Sequence, residues 1–226
     1  MAQFRKPAAF GQFRPGGRLG WARGAVGAVL GIGLACIAAR LVPASAGLPW
    51  IVAPVGASAV LVFAVPASPL AQPWPVAGGN LLSALTGLAV GHLIGVPWLA
   101  ASVAVGVAIA VMTYSRSLHP PGGASAILGA LAASPAALLV PMALNLAALL
   151  AAGWLYNNLT GHAWPHRPAP APPQPVETWA GRYDIADLDA VLDEWDEVLD
   201  VNRRDLDLLI RAVERRVQRR TGATRH

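Results

Sequence analysis

The sequence predicts an all-α integral membrane protein with a small helical unit on its C-terminal side. Three observations predict it. Of 226 residues, 55% are hydrophobic and only 13% charged, about half the charged share of an ordinary soluble domain. All 12 acidic residues lie between Glu177 and Glu214, so the first 176 positions carry none. Between Arg23 and Arg167 the only Asp, Glu, Lys or Arg residues are Arg40 and Arg116. No water-soluble fold covers its surface with so few charges.

A basic leader opens the chain over residues 1–23, with Arg5, Lys6, Arg14, Arg18 and Arg23. It is polar and Gly-rich, and the apolar run after it has spanning length, so a cleaved signal peptide is not expected. A spanning helix needs roughly 20 mainly apolar residues. Such runs occupy 24–42, 48–66, 76–96, 98–114, 118–134 and 136–157, within a transmembrane domain of residues 24–166. Pro54 interrupts the second run, and Pro120-Pro121 opens the fifth. Each of these two is a full span, a broken helix or a re-entrant half-helix. Irregular backbone survives at membrane depth only where protein or a wet cavity covers it, so function is expected there.

The two interrupted elements also match each other. Gly56-Ala57-Ser58-Ala59-Val60-Leu61 recurs as Gly123-Ala124-Ser125-Ala126-Ile127-Leu128, 67 positions later. Pro69 then corresponds to Pro135, and Asn80-Leu81-Leu82 to Asn145-Leu146-Ala147. The expected fold is therefore two pseudo-repeats of span, Gly-Ala-Ser element and span, with four to six crossings. Interrupted segments at corresponding positions of two halves point to a binding site in transporters, although small residues also serve plain helix packing. The basic leader puts both termini in the cytoplasm of a cell's inner membrane. Six crossings make Arg116 cytoplasmic; four crossings with two re-entrant segments face it outward.

Residues 167–182 form a linker with five prolines between 168 and 175, which is stiff and extended. A cytoplasmic amphipathic hairpin over 183–226 follows. Its first helix carries Leu188, Val191, Leu192, Trp195, Val198 and Leu199, and its second Leu206, Leu209, Ile210, Val213 and Val217, at helical spacing. Asn202 breaks the two apart, and Asp205 three residues on reads as a capping-box-like start. The first helix is acidic and the second Arg-rich, so an antiparallel hairpin pairs opposite charges. The other reading is two helices that need a partner or the membrane surface, with Arg215, Arg216, Arg219 and Arg220 against anionic headgroups.

Helix N-termini present free N–H groups and about half a positive charge, which suits anions. Helices starting after Pro54 and Pro121 would hold Gly56, Ala57, Ser58 and Gly123, Ala124, Ser125 in their first turns. Small residues let a ligand approach the backbone, and each serine adds a hydroxyl. The lack of carboxylates fits, because cation carriers and proton relays commonly place one in the membrane. His119 beside the second element either donates to the anion, carries a coupled proton, or is structural, capping a helix or bonding a carbonyl next to the Pro-Pro kink. Asn80 and Asn145 line the pathway or bond across helices. Arg116 attracts anions or anchors the topology, and Arg40 snorkels. His92 is expected to bond between helices, and His162 and His166 to be solvated.

Gly87, Gly91 and Gly95 form a ridge for close helix packing or a dimer face. Trp50, Trp74, Trp98 and Trp154 are expected at the interfaces. The single Cys36 excludes disulfides, and no histidine pair has supporting carboxylates for a metal site, so neither metal nor cofactor is expected. An intramembrane hydrolase would need a nucleophile, a base and an orienting acid, and the acid is missing; no enzyme is expected. Nor is nucleic acid a partner, since the basic residues sit at the ends rather than in a stripe with aromatics. The expected partners are the bilayer, a small anion and a second copy of the chain.

Ser117-Leu118-His119-Pro120-Pro121-Gly122-Gly123-Ala124-Ser125-Ala126 resembles the signature of the HPP family of membrane proteins. Pro54 to Leu61, Ser68 to Pro73 and Tyr156 to Leu159 resemble further blocks of that family, in the same order, over residues 20–166. The resemblance implies a four-span protein of transporter type. Plastid and cyanobacterial members are associated with nitrite, so it also implies a small, nitrite-like anion as cargo. Leu188 to Arg220 resembles the connector that leads, in bacterial members, into a pair of cystathionine-β-synthase-type nucleotide-binding modules. Such modules are not expected here, nor is plastid targeting. The alternative to transport is a membrane sensor or assembly subunit whose hairpin recruits a partner.

Overall fold

The computed structural model describes residues 20–41, 49–166, 184–195 and 201–223. The leader up to residue 19 and the linker expected at 167–182 lie outside the described residues. Every described element is a helix or a connecting turn. Six helices build the membrane domain: α1 (Gly20–Leu41), α2 (Ala53–Ala64), α3 (Pro73–Ile94), α4 (Pro97–Tyr114), α5 (Pro121–Leu131) and α6 (Pro135–Leu159). One 3₁₀ turn, Pro69–Ala71, precedes α3. Two more helices follow, α7 (Ile185–Trp195) and α8 (Arg203–Ala223).

Proline punctuates the whole domain. Helices α2 to α6 each carry one in their first two positions, where its fixed φ suits the helix and its missing N–H leaves nothing unpaired. This rule shortens the second and fifth apolar runs. Helix α2 cannot extend far ahead of Pro54, and Val65, with φ −132° and ψ 56°, has left the helix because Pro66 follows it. Its 12 residues and the 11 of α5 measure about 17–18 Å at 1.5 Å per residue. That is roughly half of a hydrocarbon core. The other four helices, 18 to 25 residues long, are long and apolar enough to cross a membrane.

Contacts fix the directions. Gly27 of α1 faces Tyr156 of α6, and Gly31 faces Leu149, so these helices are antiparallel. Helix α2 runs parallel to α6, from Val52 beside Asn145 to Val62 beside Asn157. Helix α5 runs parallel to α3, from Gly122 at Gly79 to Ala130 at Gly91. Each short helix thus lies along one long helix.

The Gly87 and Gly91 ridge is a contact within the chain. A methyl added at Gly87 would stand 2.1 Å from the Ala126 carbonyl, and one at Gly91 2.4 Å from that of Ala130. Only glycine lets α5 approach α3 this closely. Gly95 does something else: it closes α3 with a left-handed φ of 65°. Phe63 and Val62 of α2 are buried with Met142, Leu146 and Leu149 of α6 in the principal core, and Phe63 meets Tyr156 edge to face, centroids 5.8 Å apart. Trp50, Trp74, Trp98 and Trp154 are all exposed.

In the C-terminal unit Arg203 of α8 donates two hydrogen bonds to Asp189 of α7, the charge pairing expected of the hairpin. The capping box is not formed. Asn202 Oδ1 accepts from the Arg204 N–H at 2.9 Å, while the Asp205 carboxylate meets His166 Nε2 at 2.8 Å. His166 is therefore half-buried and paired, not merely solvated, and it joins α8 to the exit of α6. His162 is also half-buried, with Nδ1 3.1 Å from the Thr160 carbonyl. His92 departs further from expectation. It is exposed at the end of α3 and makes no hydrogen bond among the described residues.

Candidate functional site

Helices α2 and α5 meet through side chains, with α3 between them. Ser58 on α2, Asn80 on α3, Ser125 on α5 and His119 in the α4–α5 connection are fully buried. Ser125 Oγ donates to Asn80 Oδ1 at 2.7 Å. Asn80 Nδ2 donates to Ser58 Oγ at 2.9 Å and to the Val76 carbonyl, also at 2.9 Å. Ser58 Oγ stands 2.8 Å from His119 Nε2, and His119 Nδ1 2.7 Å from the Leu70 carbonyl.

A carbonyl only accepts, so Nδ1 carries hydrogen and Nε2 of the neutral ring is an acceptor. One run of donors then leads from Ser125 through Asn80, Ser58 and His119 to Leu70, and the second Asn80 N–H goes to Val76. Such chains polarise one another and strengthen cooperatively. The Ser58 hydroxyl has a second acceptor, the Pro54 carbonyl at 3.1 Å.

Local sequence explains the placement. Ser68 accepts from the Leu70 N–H at 3.1 Å, and this cap folds Pro69–Ala71 into the turn that aims the Leu70 carbonyl at His119. Pro120 and Pro121 make the α4–α5 connection bend at the ring. A helix turns about 100° per residue, so only one member of each Gly-Ala-Ser triplet faces inward. That member is the serine. Gly56, Ala57 and Ala124 are exposed and Gly123 is half-buried, and a methyl added at Gly56 or Gly123 would touch nothing. The structure therefore joins Ser58, His119, Ser125 and Asn80, and leaves the small residues outside the polar cluster.

Asn145 sits elsewhere. Its Oδ1 accepts from the Val52 N–H at 3.1 Å, and its Nδ2 donates to the Ala35 and Trp50 carbonyls, each at 3.1 Å. It ties the chain entering α2 to α1 and α6. Arg116 is exposed at the end of α4, with an unusual left-handed φ of 53°. The Ser117 N–H bonds the Met112 carbonyl at 2.8 Å and the Arg116 N–H that of Thr113 at 3.1 Å, a Schellman closure that usually takes glycine. Arg40 lies over the Trp50 ring, 5.0 Å from its centre.

One residue stands apart from its sequence reading. Arg23, counted with the leader, lies inside α1 and is buried. It donates to Asn157 Oδ1 at 2.8 Å and to the Phe63 carbonyl at 2.5 Å, and Asn157 Nδ2 donates to the Val62 carbonyl at 2.9 Å. Arg23 and Asn157 thus satisfy the orphan carbonyls at the C-terminus of α2, where a cation also suits the helix dipole. Only the position of the helix start, Gly20 rather than residue 24, would have exposed this role.

Four spanning-length helices around two half-length ones, with a buried polar cluster free of carboxylates, define a multi-pass integral membrane protein. Residues 15–165 match the HPP transmembrane region, and the chain belongs to the HPP family of membrane proteins. Two transmembrane proteins of Dictyostelium discoideum are similar to it. One is 43% identical over 76 residues, covering 32% of this chain and 27% of the relative. The other is 35% identical over 111 residues, covering 45% of this chain and 36% of the relative. The chain thus spans well under half the length of the curated relatives it matches. No solved structure matches it.

Proposed function

We propose that the chain passes a small monovalent inorganic anion, nitrite-like in size and charge, across the cytoplasmic membrane. One observation carries this reading: the N-terminal halves of α2 and α5 converge on Ser58, Asn80, Ser125 and His119, in a domain without a single Asp or Glu. Two helix N-termini favour negative charge, and no carboxylate opposes it.

Helix directions support a topology for this path. The start of α1 and the end of α6 lie together at Arg23 and Asn157. The end of α4 joins the start of α3 through Trp74 Nε1 and the Ser115 carbonyl, 3.0 Å apart. Trp164, beyond α6, reaches the Ala71 carbonyl before α3. The start of α1, Arg116 and the end of α6 then share one side and Arg40 takes the other. The sequence puts its basic leader just ahead of that α1 start, so the positive-inside rule makes the shared side cytoplasmic. In this reading α2 is entered from outside and α5 from the cytoplasm, as inverted repeats would arrange them.

The test uses the full chain in liposomes. Saturable nitrite influx above that of protein-free vesicles is expected, with a loss of at least about tenfold in Ser58→Ala/Ser125→Ala, since removing both hydroxyls breaks the polar chain that positions Asn80 and His119. Equal influx with and without protein contradicts the reading. A second reading, recruitment of a partner by the hairpin, draws on exposed Val191, Leu209 and Val213; a silent protein that captures a stable partner through α7 and α8 would favour it.

A further inference from the structure

The hydroxyls of Ser58 and Ser125 already have acceptors. The buried side-chain donor left without one in the membrane domain, among the described residues, is Ser83 Oγ. Ser83 is fully buried on α3, three residues beyond Asn80 and so on the same helix face. It aims at the first turn of α5: a methyl added to Gly122, the second residue of that helix, would stand 2.8 Å from Ser83 Oγ. It would also stand 2.7 Å from the Gly79 carbonyl and 2.8 Å from Met112 Sδ. Glycine at 122 therefore packs the first turn of α5 directly onto this hydroxyl, and an anion reaches it only when α5 draws back from α3.

A buried hydroxyl without a partner is unfavourable, and native proteins leave few of them unexplained. Here it lies beside an 11-residue helix whose N-terminal end carries positive partial charge. We infer that Ser83 is a ligand-binding residue, whose hydroxyl donates to the small anion when it reaches the first turn of α5. The inference rests on the transport reading and adds to it a donor that the internal repeat does not reveal. Position 83 corresponds to Ala148 in the second half, so the hydroxyl belongs to the α5 side alone. The two short helices are then unequal partners, and the α5 end is where the anion is held.

The experiment is nitrite influx into liposomes carrying the full chain, with Ser83→Ala, Ser83→Cys and Ser125→Ala beside wild type, and a melting curve for each. Ser83→Ala should raise KM at least about tenfold, the loss of one hydrogen bond to a charged group, and Ser83→Cys, a weaker donor, should fall between. The melting point of Ser83→Ala should stay level or rise, because an orphaned hydroxyl has been removed, whereas Ser125→Ala should melt lower. An unchanged KM in Ser83→Ala with reduced influx in Ser125→Ala overturns the role of Ser83 and leaves the transport reading standing. An absence of saturable influx in wild type overturns both.

Discussion

Helices α2 and α5 begin with nearly the same words, Pro-Val-Gly-Ala-Ser and Pro-Gly-Gly-Ala-Ser, yet they are secured by opposite means. Helix α2 is clamped by polar groups at both ends. Asn145 holds its entry, and Arg23 with Asn157 closes its last carbonyls. Helix α5 has no such clamp at its C-terminus among the described residues. It is laid against α3 backbone to backbone, through Gly87, Gly91 and Gly129. One helix depends on donors, the other on missing side chains. The same short sequence therefore tolerates different injuries in its two copies.

The largest effect is expected from filling the α5 contact. Gly87→Val would drive carbons into the Ala126 carbonyl and is expected to destabilise the domain by about 3 kcal/mol or more, since overpacking against backbone cannot relax; a thermal melt in detergent checks it. Arg23→Met comes next. It leaves Asn157 Oδ1 and the Phe63 carbonyl unpaired and should destabilise by about 2–3 kcal/mol, with increased amide exchange in the last turn of α2 while α5 stays protected. Equal loosening of both helices would erase the contrast.

The effects beyond these are smaller. Arg116→Gly relieves a left-handed conformation that disfavours a side chain by about 1 kcal/mol or slightly more, so the melting point should rise by a few degrees. In the exposed hairpin, the Arg203 hydrogen bonds hold the Asp189 carboxyl below its ordinary value of 3.8. A lowered carboxyl value means the pairing contributes fully above the ordinary carboxylate range and is lost as pH falls through the lowered value. Amide exchange in α7 should therefore quicken only in strong acid.

Much of this was legible in the sequence because prolines and charges are sparse, strong signals. The prolines mark where α2 to α6 begin, and the missing carboxylates identify the membrane domain. The repeat marks Ser58, Ser125 and Asn80, and the Pro-Pro step marks His119. What stayed hidden depends on three-dimensional approach. Arg23 reads as one more leader cation because nothing in the chain shows that α1 begins at Gly20. The Leu70 carbonyl that orients His119 is backbone, and a 3₁₀ turn of three residues leaves no periodicity. The same limit applies to Gly56, Ala57 and Ala124: the motif suggests a lining, but helical rotation turns them outward. Ser83 is an ordinary serine in an apolar run until α5 is laid beside it.

The central claim is that the junction of α2 and α5 receives a negative ion because no acid stands there. Asn80→Asp tests it most directly, since the substitution keeps the shape of the residue between Ser58 and Ser125 and places a carboxylate at the junction. With the full chain in liposomes in alkaline buffer, where even a carboxyl raised by burial is ionised, nitrite influx should fall at least about tenfold while the protein remains folded. Influx at the wild-type rate would contradict the account.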